Sequence, residues 1–460
     1  MSSLRFALLL PAALVAGCSS LTTPYMRPAL PAAPAWTQSA GVAEPSAAIG
    51  WWRSFGDPKL DQLVEAVLGN NNDLFAATLR VRKALLQAEL AGVTKFPVPT
   101  GGGTAQRSFP LGDGNAASSS FVAGLGASYE LDLWGRLASA QDMASLQAAA
   151  SIEDVEAART TVVAATIETY WRLAFVNQDL AAARASLEIA RQVEDLVKSQ
   201  AAAGAATALE LAEVRQTLES QAAALADLEQ NRVVLRNALF VLLNGGANPV
   251  VEPQHLPRQT PMRITAGLPA ELLARRPDLR AAELRLRASL RAVDTMRASL
   301  YPQISLTGNL GAASSDLLQI LSNPVATLGA GIVLPFLNFR DGELRVKVSE
   351  VDYEIAVAEF RSVLLTAFSD TSTALSARTA LNDKARRLRA ALEAAEAADK
   401  LTEERYRAGS VALRIWLDAQ ERSRTAARAV AANRLDQLVT EVQIFRVLGG
   451  SPSMPATASR

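Results

Sequence analysis

The chain of 460 residues carries little reactive chemistry: one cysteine, Cys18, one histidine, His255, and acidic side chains that follow no motif. One Cys and one His cannot build a zinc site or a disulfide. No Ser or Cys nucleophile neighbours the histidine in Gln254-His255-Leu256, so it reads as a surface residue of a proline-rich loop. Gly101-Gly102-Gly103 lacks the Lys-Ser/Thr that follows the glycines of a phosphate-binding loop. Lys and Arg number 46 against 46 Asp and Glu, interspersed along the chain, which leaves no basic footprint for nucleic acid. This inventory predicts no enzyme, no cofactor and no metal centre.

Cys18 is the exception. Residues 1–17 read as a secretory signal, with Arg5 as the positive start, an apolar stretch over 6–15, and small Ala16 and Gly17 before a cut. Val15-Ala16-Gly17-Cys18 resembles a bacterial lipobox, in which the cysteine becomes the lipidated, palmitate-bearing first residue. Several acyl chains anchor a protein stably where one binds only marginally. Ser19 stands next, where lipoproteins kept at the inner membrane often carry Asp, so the outer membrane of a Gram-negative bacterium is the expected address. Residues 18–50, with Pro24, Pro28, Pro31 and Pro34, are expected to form an extended lipidated tether without a fold of its own.

The elements behind this anchor come twice. Asp73-Leu74 returns as Asp278-Leu279, Ala76-Ala77 as Ala281-Ala282, Leu79-Arg80 as Leu284-Arg285, Phe96-Pro97 as Tyr301-Pro302, and Gly204 as Gly409, all at a shift of 205 residues. Gly245-Gly246 matches Gly449-Gly450 at a shift of 204. A first repeat over 51–248, a proline-rich connector over 249–270, a second repeat over 271–450 and a flexible tail over 451–460 follow from this pattern.

Each repeat predicts a helix, two strands, a very long helix, a glycine and a second long helix. The first of these helices is expected over 58–95, and its counterpart starts at Pro277. Residues 136–203 and 343–408 contain neither Gly nor Pro, and as helices they would run roughly 100 Å at ~1.5 Å per residue. Leu211, Val214, Leu218, Leu225, Leu228, Leu235, Leu239 and Leu242 keep the three-four spacing of a coiled-coil seam. Gly204 and Gly409 stand where each chain must reverse, since glycine enters the left-handed conformation at little steric cost.

Strands are expected at 97–110, 119–134, 301–312 and 325–337, alternating apolar with small or polar residues over lengths that suit a membrane barrel. After the first twenty residues no uncharged apolar run reaches the length of a membrane-spanning helix, so a membrane would be crossed by strands. Four strands leave two open edges, which lipid does not tolerate. Two copies would give eight strands and a filled bore; three would give twelve and a water-filled one, which predicts a homotrimer. The fold class is thus mainly α with a small β part: long antiparallel helices plus four strands per chain.

Four stretches together resemble a known family. They are Trp51-Trp52 with Phe55-Gly56-Asp57-Pro58; Tyr129-Glu130-Leu131-Asp132-Leu133-Trp134-Gly135-Arg136; Arg275-Arg276-Pro277-Asp278-Leu279; and Pro335-Phe336 before Gly342. The chain is similar over almost its whole mature length to the TolC-like outer membrane efflux channels, in their lipoprotein or NodT branch. The resemblance implies a twelve-stranded trimeric barrel in outer membrane lipid and an α-helical barrel forming a periplasmic tunnel. It also implies a periplasmic adaptor and an inner-membrane efflux transporter, of the RND type, as partners.

By the same resemblance, the hairpin tips at Gly204 and Gly409 meet the adaptor and Asp418 rings the constricted aperture, with Glu213 as its repeat counterpart. Arg414 stands where related channels often have an apolar constricting residue, and its four-residue spacing to Asp418 allows an ion pair. The expected function is a passive exit duct for drugs or other small molecules in a tripartite efflux system. The alternative is a periplasm-spanning structural lipoprotein without channel activity.

Overall fold

The computed structural model describes residues 21–28, 50–109, 117–257, 275–322 and 324–449. Cys18, the signal segment, most of the tether, most of the connector, Gly450 and the tail lie outside the described residues. The chain divides into two compact units, one of Met1–Pro31, Thr78–Asp154 and Asp278–Leu364, the other of Ala32–Ala77, Val155–Pro277 and Leu365–Arg460.

A 3-10 turn at Trp51–Phe55 precedes α1 (Pro58–Asn70) and α2 (Asn72–Val93). The single helix expected over 58–95 is therefore broken, and Asn71 breaks it. Its backbone is extended, and its side-chain carbonyl accepts from the N–H groups of Asp73 and Leu74, starting α2 afresh. The Asn71 amide meanwhile donates to the Leu242 carbonyl at 3.1 Å.

The sheet in the first unit consists of β1 (Val98–Ser108), β2 (Ser118–Leu131), β3 (Gln303–Ser314) and β4 (Pro324–Val333), antiparallel in the order β1-β2-β3-β4. Its register sets Leu131, Ile304 and Ile332 abreast, then Tyr129, Leu306 and Ala330, then Leu125, Leu310 and Ala326. Since side chains alternate between faces, these rows build one continuous apolar face. The other face carries Ser128, Thr307 and Gly329 in one row and Gly126, Asn309 and Thr327 in another. Gly126 answers a packing need, because a Cβ there would lie within 3 Å of the Thr100 hydroxyl.

β2 passes into the long helix α3 (Arg136–Ala202) through a fastened elbow. Asp132 accepts from the free N–H groups of Leu137 and Ala138 at 3.1 and 2.8 Å, so it serves the first turn as a cap and suits the helix dipole. Arg136 grips both carboxylate oxygens of Glu130 at 2.7 Å. Trp134 stacks on Tyr301 and donates its indole N–H to the Pro302 carbonyl at 2.9 Å.

The second repeat makes its elbow differently. Pro335–Asn338 forms a 3-10 turn and α6 starts at Phe339, so the helix runs through Gly342 rather than beginning after it. Glycine is needed there because a Cβ would overlap the Leu300 side chain.

α3 and α4 (Ala208–Leu242) form the first long pair, α6 (Phe339–Arg407) and α7 (Leu413–Val447) the second, with α5 (Pro277–Ala298) opening the second repeat. Of the predicted seam on α4, Val214, Leu228 and Leu239 are fully buried and the other members partly so. The repeat frame holds to the helix ends: Leu243 and Leu448 follow the two last helices, and the left-handed residue after each is Asn244 or Gly449. The 204-residue match of the glycine pairs is thus a coincidence of type, and the structural shift stays at 205. A Cβ on Gly449 would stand 2.6 Å from the Arg275 carbonyl. The neighbouring Arg276 is buried and donates to the Val447 carbonyl at 3.3 Å, covering the open end of α7.

The core of the second unit gathers the tryptophan motif. Trp51 stacks on Phe445 with centroids 4.8 Å apart, Phe55 meets the edge of Trp171, and Leu60, Leu63, Val64, Ile167 and Val442 fill the space between. Asp57 caps α1 and accepts from the Tyr170 hydroxyl at 2.9 Å, which together with burial raises the phenol's pKa.

Residues 21–28, part of the expected extended tether, form no helix or strand but are fastened to α5 by side-chain contacts. Thr23 donates through its N–H and hydroxyl to Asp294, at 3.0 and 2.6 Å, and Arg27 grips Glu283. Asp294 is only 1% exposed and also holds Arg291 at 2.7 Å, so this strap fills the hydrogen-bonding capacity of a buried carboxylate on α5. At the elbow, Asp132→Ala removes the cap of α3 and is expected to lower stability by about 1 kcal/mol, read as a lower urea midpoint of the purified protein with an unchanged slope.

Candidate functional site

The expected tip and gate residues lie at one end of the long pairs, within the second unit, while Cys18 lies outside the described residues. Both turns use the same geometry. Gly204 and Gly409 have φ of +74° and +73°, and the following N–H closes back on the last helical turn, Ala205 to the Gln200 carbonyl and Ser410 to the Arg405 carbonyl. This left-handed stop satisfies carbonyls that a helix end otherwise leaves open.

After the turns the two pairs differ. Thr207 and Glu210 form a reciprocal capping box at the start of α4, while Ala412 at the start of α7 makes no side-chain cap. A small apolar cluster of Val193, Val197, Val214, Leu413 and Trp416 joins the two pairs behind the tips. Tyr406 stacks on Trp416 at 5.3 Å and its hydroxyl reaches Gln200 Oε1 at 3.3 Å. Burial raises the Tyr406 pKa, so the phenol stays a neutral donor.

Around this cluster the charges are unevenly satisfied. Arg414 lies 3.8 Å from Glu213, an ion pair between α7 and α4. The pairing of Arg414 with Asp418 does not form. A cation four residues before an acid is the poorer orientation on a helix, and Arg414 in the first turn of α7 reaches the neighbouring helix instead. Asp418 is exposed and, among the described residues, makes no hydrogen bond or ion pair. On α6, the buried Asp399 carboxylate faces the Trp416 indole N–H of α7, the two falling just short of a closed hydrogen bond. Burial and the nearby Glu403 raise the Asp399 carboxyl above the ordinary carboxylate range.

The repeat glycines, Glu213 and Arg414 are therefore gathered at one end of the helix pairs, with Asp418 one helical turn beyond Arg414. Tyr406 and Trp416 went unmarked by sequence reasoning because their repeat counterparts, Ala201 and Leu211, carry no aromatic ring to draw attention to them. Among the described residues no group of three or more His, Cys, Asp or Glu could hold a metal ion. No described helix is long and apolar enough to cross a membrane, whereas the sheet exposes Leu125, Leu310, Leu328 and Ile332 on one face.

Comparison with known proteins gives the same architecture. The pattern of the family described as "Outer membrane efflux protein" matches residues 63–245 and 268–450, two segments displaced by the 205-residue shift. The chain is 35% identical to the pyoverdine export outer membrane protein OpmQ of Pseudomonas putida, over 97% of each chain. It is 32% identical to the outer membrane protein OprJ of Pseudomonas aeruginosa, over 95% of this chain and 94% of that one. Among solved structures, CusC superposes with a TM-score of 0.85 at 26% identity, covering 94% of this chain and all of the other. With two matched repeats, near-complete coverage and a shared fold, the chain belongs to the outer membrane efflux protein family, as a channel component of efflux systems.

Proposed function

We propose that three copies of this chain close their sheets into one twelve-stranded barrel, continued by their long helices as a periplasmic tunnel, and act as a passive exit duct. The observation that carries this reading is the sheet itself: among the described residues β1 and β4 have no outer strand partner, and the apolar face holds Leu328 at 91% exposure. Hydrocarbon is the environment that suits such a face, and other copies are the partners that suit such edges.

The cargo proposed is a small organic molecule, driven by an inner-membrane pump through a periplasmic adaptor docked at the Gly204 and Gly409 tips. OpmQ, by its name, exports pyoverdine, and a comparable solute fits here. Cys18 is the proposed lipid anchor. Asp418, with Arg414 and Glu213, is the proposed aperture gate: three copies of an unpaired carboxylate about a threefold axis would focus negative potential in the bore. The Arg414–Glu213 pair is exposed and long, worth up to about 1 kcal/mol, so it holds the tips without preventing their separation.

Three outcomes test this. Mild detergent extracts are expected to hold a trimer that dissociates on heating and forms ion-conducting pores in planar bilayers; a stable non-conducting monomer overturns the duct. Asp418→Ala is expected to raise single-channel conductance, and Glu213→Gln to raise the open fraction by no more than about fivefold, the equivalent of that weak pair; unchanged traces remove both from the gate. Cys18→Ser is expected to abolish metabolic palmitate labelling, and labelling that persists rules out this anchor.

A further inference from the structure

The two long helix pairs share one 205-residue frame but are not zipped alike. In the first pair Val176, Leu180 and Leu228 close an apolar cluster. Their counterparts in the second are Leu381, Ala385 and Asn433, and Leu173, fully buried in the first core, is replaced by Arg378. The seam there is polar: Asn433 donates to the Leu381 carbonyl at 3.3 Å, Gln437 to Asn382 Oδ1 at 2.9 Å, and Glu441 pairs with Arg378 at 2.8 Å. Positions 433, 437 and 441 recur every four residues, so one stripe of α7 turns its polar side chains onto α6.

This polar zipper is incompletely satisfied. Asn433 Oδ1 and Glu441 Oε2 are buried without a partner. A cleft of about 740 Å³ opens beside Asn433, lined in part by Asn382, Ala385, Asn433, Arg434 and Gln437. Water from this cleft would satisfy Asn433 Oδ1 directly and reach Glu441, two turns further along α7, as the seam parts, which gives the second pair a route of local opening that the apolar cluster of the first pair lacks.

Glu441 is 2% exposed. The charged groups acting on it are Arg378 on α6 and Arg434, two turns earlier on its own helix. Burial dominates over both guanidiniums and lifts the carboxyl to about 7. The closed seam therefore binds a proton that a hydrated, open seam would release. Closure is fully supported below the ordinary carboxylate value, weakens as pH rises from there to about 7, and changes no further above it.

We propose that Glu441 is a proton-dependent latch of the second helix pair: its protonated form keeps α6 and α7 zipped, and its ionisation favours their separation by water. The consequence for transport rests on the duct reading above, because Arg414 and Asp418 sit on the same α7. Acid surroundings then favour a shut aperture, and neutral ones lower the work an adaptor must supply to open it.

Amide hydrogen exchange of the full-length protein in detergent, followed at segments 375–385 and 433–445 and corrected for intrinsic rates, tests the latch. Between about pH 5 and 7 the wild type is expected to lose protection by up to tenfold per pH unit, then level off, while segment 173–180 shows no such slope. Glu441→Gln, uncharged throughout, is expected to abolish the slope and to stay better protected than wild type near pH 8. Arg378→Gln removes the cation that favours ionisation, so the levelling-off is expected to move to higher pH, a shift that mere loosening would not produce.

A flat or inverted wild-type profile overturns the proposal, as does a slope that survives in Glu441→Gln. Exchange needs no conducting pore. Its failure leaves the duct reading intact, and a pH slope without bilayer conductance counts against the duct alone.

Discussion

Unpaired backbone at the two margins of a four-stranded sheet is the constraint on which the rest depends. Among the described residues neither β1 nor β4 has a strand on its outer side, which leaves each with a row of open N–H and C=O groups. In water such a row is a hazard for aggregation, and in hydrocarbon each open group costs several kcal/mol. The strands are rich in Gly and Ala, too small for a soluble core, and their exposed leucines and isoleucine Leu125, Leu306, Leu310, Leu328 and Ile332 share one uncovered face. A structure so arranged is stable only once its edges meet edges like themselves and its apolar face meets lipid. Twelve strands satisfy both conditions and leave an aqueous bore.

The internal repeat meets this constraint with two different elbows. Glu130, Asp132, Trp134 and Arg136 fasten the passage from β2 into α3 by a bidentate ion pair, a helix cap and an aromatic stack. At the equivalent positions after β4 stand Pro335, Leu337, Phe339 and Asp341, with Leu337 and Phe339 largely exposed. One copy of the elbow is complete within the chain, while the other adjoins an open edge and presents apolar surface beside it. Duplication supplied the element order, and divergence divided the labour between a self-sufficient half and one suited to meeting a neighbour.

Much of this was legible in the sequence because its signals are periodic. Long stretches free of Gly and Pro mark α3 and α6, alternation marks the strands, and the repeated glycines mark the turns. What escaped depends on side-chain reach. Asn71 looks like a helix residue until its side-chain carbonyl is seen capping a new start, and Gly342 looks like a helix breaker until Leu300 fills the space where a Cβ would stand. Arg414 has two acids at plausible distance, and only the neighbouring helix decides for Glu213. Composition marks the proline-rich segment after Cys18 as an extended tether without a fold of its own, and it gives no sign that Thr23 docks on Asp294, a buried acid 271 residues away.

Duplicated helices that pack identically would share one local stability, and a duct whose end must both seal and part is better served by unequal ones. The first pair is closed by aliphatic contacts, which have no alternative partner in water and open only at the cost of their burial. In the second, polar contacts exchange for water at a far smaller net cost, about 1 kcal/mol per hydrogen bond, so the two pairs differ in what local opening costs. The same exchange explains why charged residues persist at buried positions such as Arg378 and Glu441, where leucine would pack better: a buried pair adds little to stability over an apolar one, yet it makes the helix contact answerable to solvent and proton. Of the two pairs, the second is thus the one that a modest differential contact would shift first.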